Sequence, residues 1–153
     1  MKRLVMMAGV PASGKTFIRK KHYQDYKVID CDEYKIQLVK DGVRVDSQTL
    51  HNLSKELETA TILHCFKNDE SFLYDSTNSN DFYALRLIDY AKSLGYYVEL
   101  CYVKVSLKTA LARNRERDRY VPEQIIREKF EELIGTIDFV KTKVDKFVEY
   151  SND

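Results

Sequence analysis

Two rhythms run along this chain: short unbroken apolar runs, and longer stretches in which apolar residues return every three or four positions. Leu4 to Ala8 is the first run, too short for a buried helix and read as a strand covered on both faces. Phe17 to Tyr23 follows as a helix rich in Arg and Lys. Lys27-Val28-Ile29-Asp30 predicts a second strand closed by acids, and Glu33 to Lys40 a helix stopped by Asp41-Gly42. From Ser47, Leu50, Leu53, Leu57, Ala60 and Leu63 recur at helical spacing and predict a long amphipathic helix packed through that stripe. Phe72-Leu73-Tyr74-Asp75 is a third strand, bounded by Ser76 to Asn80.

In the second half, Phe82, Leu85 and Ile88 adjoin Ala84, Leu87, Ala91 and Leu94, so the next helix should be buried over a wide arc until Gly95 ends it at C′. Tyr97 to Val105 predicts a fourth strand, and Ser106 caps a helix presenting Leu107, Ala110 and Leu111. Pro122 suits the first position of a last long helix, whose Ile126, Phe130, Leu133, Ile137, Val140 and Val144 keep step through Gly135. Lys146 to Tyr150 reads as a fifth strand rather than a continued helix. Strands alternating with helices mean a parallel sheet of four or five strands with helices on both faces, a three-layer α/β sandwich.

The connection after the first strand changes the picture from fold to chemistry. Gly9-Val10-Pro11-Ala12-Ser13-Gly14-Lys15-Thr16 fits G-x-x-x-x-G-K-[ST] between a strand and a helix, the context a phosphate-binding P-loop requires. Gly9 and Gly14 free the backbone to curl, so that successive N–H groups through Ala12, Ser13 and Gly14 and the positive helix end face a nucleotide's phosphates. Lys15 would bridge the β- and γ-phosphates, and the Thr16 hydroxyl would take one position on Mg²⁺. ATP as substrate and Mg²⁺ as its companion follow, and the fold class becomes a P-loop NTPase sandwich.

Bulk composition sets limits without naming a partner. With 153 residues, 44% of them hydrophobic, the chain suffices for a single domain over residues 1–153. No signal-like segment or membrane-length apolar run is found, so a cytoplasmic protein is expected. Cys31, Cys65 and Cys101 have neither disulfide nor zinc spacing and are expected to be reduced thiols. The formal charge of +1 does not announce nucleic acid, so any basic footprint must be local. It exists at Arg113, Arg115, Arg117 and Arg119, four arginines within seven residues.

Three constellations complete the candidate site. Asp32 should face the γ-phosphate from the carboxyl edge of the sheet, where a carboxylate can take the proton of an attacking hydroxyl. The same residue could instead cap the helix beginning at Glu33, and Asp30 competes for the base role. Asp75 ends a strand at the Walker-B position, where a carboxylate anchors Mg²⁺; an Asx-turn with Thr77 or Asn78 is its ordinary alternative. The arginines from Arg113 onward form either a lid over the triphosphate or a solvated mixed-charge helix end. Tyr120 beside them is a candidate for stacking on a base.

Gly9 to Thr16, Val28 to Lys35, Asp75-Ser76-Thr77-Asn78, and Arg113 to Arg117 followed by Val121-Pro122 together resemble the kinase domain of phage-type 5′-hydroxyl polynucleotide kinases, over nearly the whole chain. The resemblance implies Asp32 as general base, which decides the contest with Asp30. It also implies Arg117 as the arginine on transition-state charge and Lys35 as the group that binds the acceptor's 3′-phosphate, while Arg113 is expected to bind nucleotide as part of the lid. Lys35 stands where the family has an arginine, a point charge in place of a bidentate fork. The segment from Arg117 to Pro122 is one residue shorter. No Asp-x-Asp-Gly-Thr segment is found, so the implied activity is kinase only, on a 5′-hydroxyl nucleic-acid end, with no membrane and no stable protein partner. Two other classes fit the same residues: a small-molecule or toxin-like sugar-nucleotide kinase, and a non-catalytic NTP-binding module. A base at Asp32 argues against the last.

Overall fold

The computed structural model describes residues 1–153. Five strands, β1 (Arg3–Ala8), β2 (Lys27–Asp30), β3 (Phe72–Asp75), β4 (Tyr97–Lys104) and β5 (Lys146–Ser151), form one parallel sheet in the order β2-β3-β1-β4-β5. The α-helices are α1 (Lys15–His22), α2 (Cys31–Lys40), α3 (Ser47–Lys67), α4 (Asp81–Ser93), α5 (Leu107–Arg115) and α6 (Glu123–Val140). This is the expected P-loop α/β sandwich, and the doubtful tail is the edge strand β5. Leu4 to Ala8 are wholly buried because helices cover both faces of the central strand, which is why β1 reads as a continuous apolar run.

The two faces are unequal. One carries a core of 24 buried residues, drawn from α3, α4, α5 and α6 as well as the strands. The other carries only 7, where α1 contributes Ile18 against Val5, Met7, Leu73, Cys101 and Val103. Register brings the chemistry to one edge: Asp30 pairs with Asp75, and Asp75 with Met7, so both carboxylates stand beside the loop that leaves β1. Ligands bind at this carboxyl edge in open α/β sheets.

Several boundaries and faces differ from expectation, each for a physical reason. Helix α1 begins at Lys15, two residues early, because Gly14 takes the left-handed φ of 95° as its N-cap. Helix α2 begins at Cys31, with the Asp30 side chain accepting from Asp32 N at 2.9 Å; the capping role considered for Asp32 belongs to Asp30. Pro122 is the N-cap of α6 rather than its first residue. The stripe expected to bury α3 is turned outward, with Leu57 and Leu63 exposed. Ser54, Glu58, Ile62, Cys65 and Phe66 face inward instead. Phe66 decides the rotation, because its ring meets Phe72, Tyr90 and Tyr96 edge-on at 5.1–5.3 Å, and aromatic area outweighs the smaller leucines. In α4, Ala84, Leu87, Ile88 and Ala91 are buried, but Phe82 is 67% exposed.

Candidate active site

The loop between β1 and α1 is fixed from both sides. Gly9 N donates to Thr77 O at 3.2 Å, and Asn78, itself at φ 54°, donates from Nδ2 to Met7 O at 2.6 Å. The Asp75 to Asn78 segment therefore acts as a strut against the loop. A Cβ on Gly9 would lie 2.7 Å from Ser13 Oγ and 2.9 Å from the Val103 carbonyl, so the loop cannot close over any larger residue. Ala12 also holds a positive φ, 68°. Ser13 Oγ is buried without a partner, and Thr16 lies exposed in the first turn of α1.

Lys15 folds back onto this loop, donating from Nζ to Gly9 O at 2.8 Å and Val10 O at 3.3 Å. Burial lowers its pKa, and Arg117 lowers it further, while Asp75, Asp30 and Asp32 act in the opposite sense. The ammonium thus lies at the meeting point of the three carboxylates and the arginine segment.

Asp75 does not form the Asx-turn weighed as its alternative. Its Oδ2 accepts from Arg19 Nη1 at 2.8 Å, while Arg19 also reaches Asp30 at 3.3 Å and Glu33 at 2.8 Å. Arg19 is nine-tenths or more buried; burial opposes its charge, but Asp75, Glu33 and Asp30 outweigh that and raise its pKa. Burial pushes the Asp75 carboxyl up, and pushes Asp30 to about 6, with the neighbouring Asp75 charge adding to it. Arg19 is the residue that reading the sequence missed. Its only signal was an arginine four residues after Lys15, one helical turn along, in a helix already crowded with basic side chains.

Asp32 is more open. Its side chain is 59% exposed, with Lys35 Nζ 3.9 Å from Oδ1 and Arg119 Nη1 3.6 Å from Oδ2. The four clustered arginines take four different environments. Arg113 donates to Asn152 O at 2.5 Å and to Ser13 O at 3.4 Å, which ties α5 to the phosphate loop. Arg115 turns away to Glu123. Arg119 reaches Asp32. Arg117 is partly buried, with Nη1 enclosed and without a hydrogen-bond partner. Burial and then Arg119 lower its pKa, and Asp32 opposes them. A buried donor left unpaired costs about 1–3 kcal/mol, which makes Arg117 Nη1 an unmet donor at this edge of the sheet.

Two asparagines outside the expected set position these parts. Buried Asn114 grips Val121 with both ends of its amide, donating to O at 2.7 Å and accepting from N at 3.0 Å. That clasp fixes the span carrying Arg117 and Arg119, and so fixes the register of the short segment before Pro122. Asn152 donates from Nδ2 to Ser13 O at 2.9 Å beside Gly14. Asn114 lies within the arginine segment but has no assigned role there, and only the fold brings Asn152 to the loop. Tyr120 is exposed.

Residues 4–139 match the family model for the AAA domain. The chain belongs to the AAA domain family. Its fold and its loop are those of the P-loop class. A search of curated proteins finds no match to it. Among solved structures it is similar to the AvrRxo1-ORF1:-ORF2 complex with ATP, at TM-score 0.79 and 20% identity over 94% of this chain and 50% of that one. It is also similar to the Pnkp1/Rnl/Hen1 RNA repair complex, at TM-score 0.64 and 17% identity over 94% and 46%. A gluconokinase from Sinorhizobium meliloti 1021 matches at TM-score 0.58 and 15% identity over 98% and 82%. The AAA domain thus spans about half the length of the first two, both of which are complexes with other proteins. At these identities the likeness is one of fold. No helix of the AAA domain is long and apolar enough to cross a membrane.

Proposed function

We propose that residues 1–153 act as one ATP-dependent kinase domain that transfers the γ-phosphate to the 5′-hydroxyl of a polynucleotide end. The observation that carries the reading is the convergence of Lys15, Asp32 and Arg117, the last with a buried guanidinium nitrogen facing no partner. The backbone from Gly9 through Ala12, Ser13, Gly14, Lys15 and Thr16 receives the β- and γ-phosphates. Lys15 leaves the carbonyls of Gly9 and Val10 for the phosphates, and Arg113 flanks them from α5. The acceptor oxygen attacks the γ-phosphorus, the bond to the bridging β,γ-oxygen breaks, and the hydroxyl proton passes to the Asp32 carboxylate. Arg117 meets the charge that grows on the transferring group. Lys35, beside Asp32, holds the phosphate on the acceptor's 3′ side.

The oxygen donors near the loop suit Mg²⁺, which keeps most of its waters and needs few protein ligands. Thr16 Oγ1 is free at the helix start, and Asp75 retains one carboxylate oxygen beyond its bond to Arg19. Held there, Mg²⁺ would neutralise charge on the β- and γ-oxygens.

The acceptor assignment draws on the Asp32 to Lys35 and Asp75 to Asn78 segments and is consistent with the fold shared with an RNA repair complex. A small-molecule acceptor is the second reading, favoured by the shared gluconokinase fold and by the acids of α3. Labelled γ-phosphate from ATP, offered to a 5′-hydroxyl oligonucleotide, nucleosides and sugar nucleotides, separates them. Label on the oligonucleotide is expected; label on small molecules alone would replace the proposal by the second reading.

A further inference from the structure

Of the six α-helices, α2 alone buries no residue. Yet α2 carries Asp32, the group that the proposed transfer needs most closely placed. A ten-residue helix is marginal by itself and is ordinarily fixed by an apolar face sunk in a core. Here Ile36 and Val39 are exposed, and Tyr34 packs only partly against the main core. Apolar area therefore does not set where this helix begins.

Arg19 supplies the fixture. It sits on α1, one helical turn from Lys15, and its side chain is only 5% exposed. Nη2 donates to Glu33 Oε1 at 2.8 Å, and Nη1 donates to Asp75 Oδ2 at 2.8 Å and Asp30 Oδ2 at 3.3 Å. The other Asp30 oxygen, Oδ1, accepts from the Asp32 amide at 2.9 Å. A continuous chain of hydrogen bonds thus runs from the helix of the phosphate loop to the backbone of Asp32, and a second arm grips the residue that follows it. Bonds between a guanidinium and carboxylates are charge-assisted, and burial spares them the screening that weakens exposed pairs. Asp75 is the fixed end, because register holds it at the tip of β3 between Met7 and Asp30. Glu33, with a side chain 54% exposed, is the end that can be cut without stranding a buried charge.

We infer that Arg19 is a positioning residue: through Asp30 and Glu33 it sets α2, and with it Asp32, relative to the phosphate loop. The inference rests on the proposed reading of Asp32 as general base, and Arg19 touches no reactant in it. A base must lie within hydrogen-bond reach of the attacking hydroxyl, and a displacement of about 1 Å can cost about a hundredfold in rate. An arginine suits the place because its planar fork spans carboxylates of β2, α2 and β3 at once, where an ammonium is a single point.

Glu33→Ala cuts the outer arm and leaves the buried pair of Arg19 with Asp75 in place. It should lower kcat about tenfold while Kd for ATP and KM for the acceptor change by less than about threefold. Glu33→Gln, which keeps an acceptor oxygen, should recover most of the loss. The deciding comparison adds Asp32→Asn. With the base gone there is nothing left to place, so Glu33→Ala should cost less than about twofold in that background. A tenfold loss in both backgrounds overturns the inference, as does a kcat that Glu33→Ala leaves unchanged. Amide hydrogen exchange reads the link without turnover: exchange across α2 should quicken about tenfold in both Glu33→Ala and Arg19→Lys while β1 and β3 stay protected. Unchanged exchange in α2 overturns the inference whichever acceptor is used. If the unmodified protein phosphorylates only small molecules, the polynucleotide reading fails by itself, and the same kinetic comparison on that acceptor decides the role of Arg19. Full turnover by Asp32→Asn would instead withdraw the base assignment, and this inference with it.

Discussion

At the proposed nucleotide end of the cleft, Lys15, Arg113 and Asn152 are held by backbone carbonyls of the phosphate loop and of Asn152, just past the last strand, at 2.5–3.4 Å. At the proposed acceptor end, Asp32 pairs with Lys35 and Arg119 across open surface at 3.6–3.9 Å. The first arrangement is preorganised: its acceptors are backbone carbonyls whose positions follow from Gly9, Gly14 and the strand register, and they hold the side-chain donors beside the loop. The second is adjustable, because exposed ion pairs are worth little and part readily for a substrate. The proposed kinase would meet one constant reactant and one variable one. The rigid end suits the first, and the loose end suits the second.

Substitutions can break that contrast from the rigid side first. Lys15→Met should abolish phosphoryl transfer while circular dichroism stays unchanged, since the side chain contributes charge rather than core packing. Turnover near that of the unmodified protein would remove the loop from the reaction. Arg117→Ala should lower kcat by about a thousandfold, with the Kd for ATP changed far less, because the unpaired guanidinium acts on charge present only toward the transition state. Arg115→Ala should be nearly silent, since Arg115 is spent on an exposed pair with Glu123. Equal losses at Arg115, Arg117 and Arg119 in single-turnover kinetics would mean a diffuse field in place of one positioned group.

The loose side gives a different signature. Asp32→Asn should cut kcat by about two to four orders of magnitude with ATP binding unchanged, the range expected on losing a general base. Asp30→Asn should leave chemistry far better preserved, because Asp30 is a helix cap and an Arg19 partner rather than an open carboxylate. The reverse outcome would exchange the two roles.

How much of this was legible beforehand divides along the same line. The loop, the strand order of its carboxylates and the arginine segment follow from spacing, because backbone geometry dictates glycine at Gly9 and Gly14 and register dictates the ends of β2 and β3. Arg19 and Asn152 were not legible, since each acts through a contact made by tertiary packing: Asp75 lies 56 residues from Arg19 in sequence, and Ser13 lies 139 from Asn152. The inward face of α3 was misread for a related reason. Periodicity counts leucines equally, whereas packing favoured Phe66 against three other rings and so turned Glu58 inward. Phe82 was misplaced in the same way.

Asp30 sits at the seam between the two ends, and its raised pKa makes the seam measurable. Unfolded, the carboxyl titrates near its ordinary 3.8; folded, it holds its proton to about 6. Holding a proton more tightly in the folded state means that stability is greatest below pH 3.8 and is lost as pH rises through 6. Relative to Asp30→Asn, which can still cap α2, the unmodified protein should lose about 3 kcal/mol between those limits. Urea titrations of both proteins with EDTA at pH 4, 5, 6 and 7 would show the gap opening. A constant difference across the series would mean that Arg19 fully compensates the Asp30 charge.

The smallest effect expected is at Lys35, and it bears most directly on the acceptor. Lys35 is about one-third exposed and pairs loosely with Asp32, so its ammonium can leave that carboxylate for a phosphate without loss to the fold. If the acceptor is held mainly through the phosphate beside its reacting nucleoside, a nucleoside 3′-monophosphate should be a good acceptor and the bare nucleoside a poor one. Lys35→Ala should then raise KM for the phosphorylated acceptor by about tenfold, the worth of one charge-assisted contact in an open site, and erase the difference between the two. Because few phosphates are touched, log Kd for a short single strand should rise with log salt at a slope of only about one to three, taking about 0.7 per phosphate neutralised. A bare nucleoside used as well as its 3′-phosphate, and indifferent to Lys35→Ala, would mean that the loose end of the cleft does not read phosphate, and the acceptor would have to be sought among small neutral alcohols.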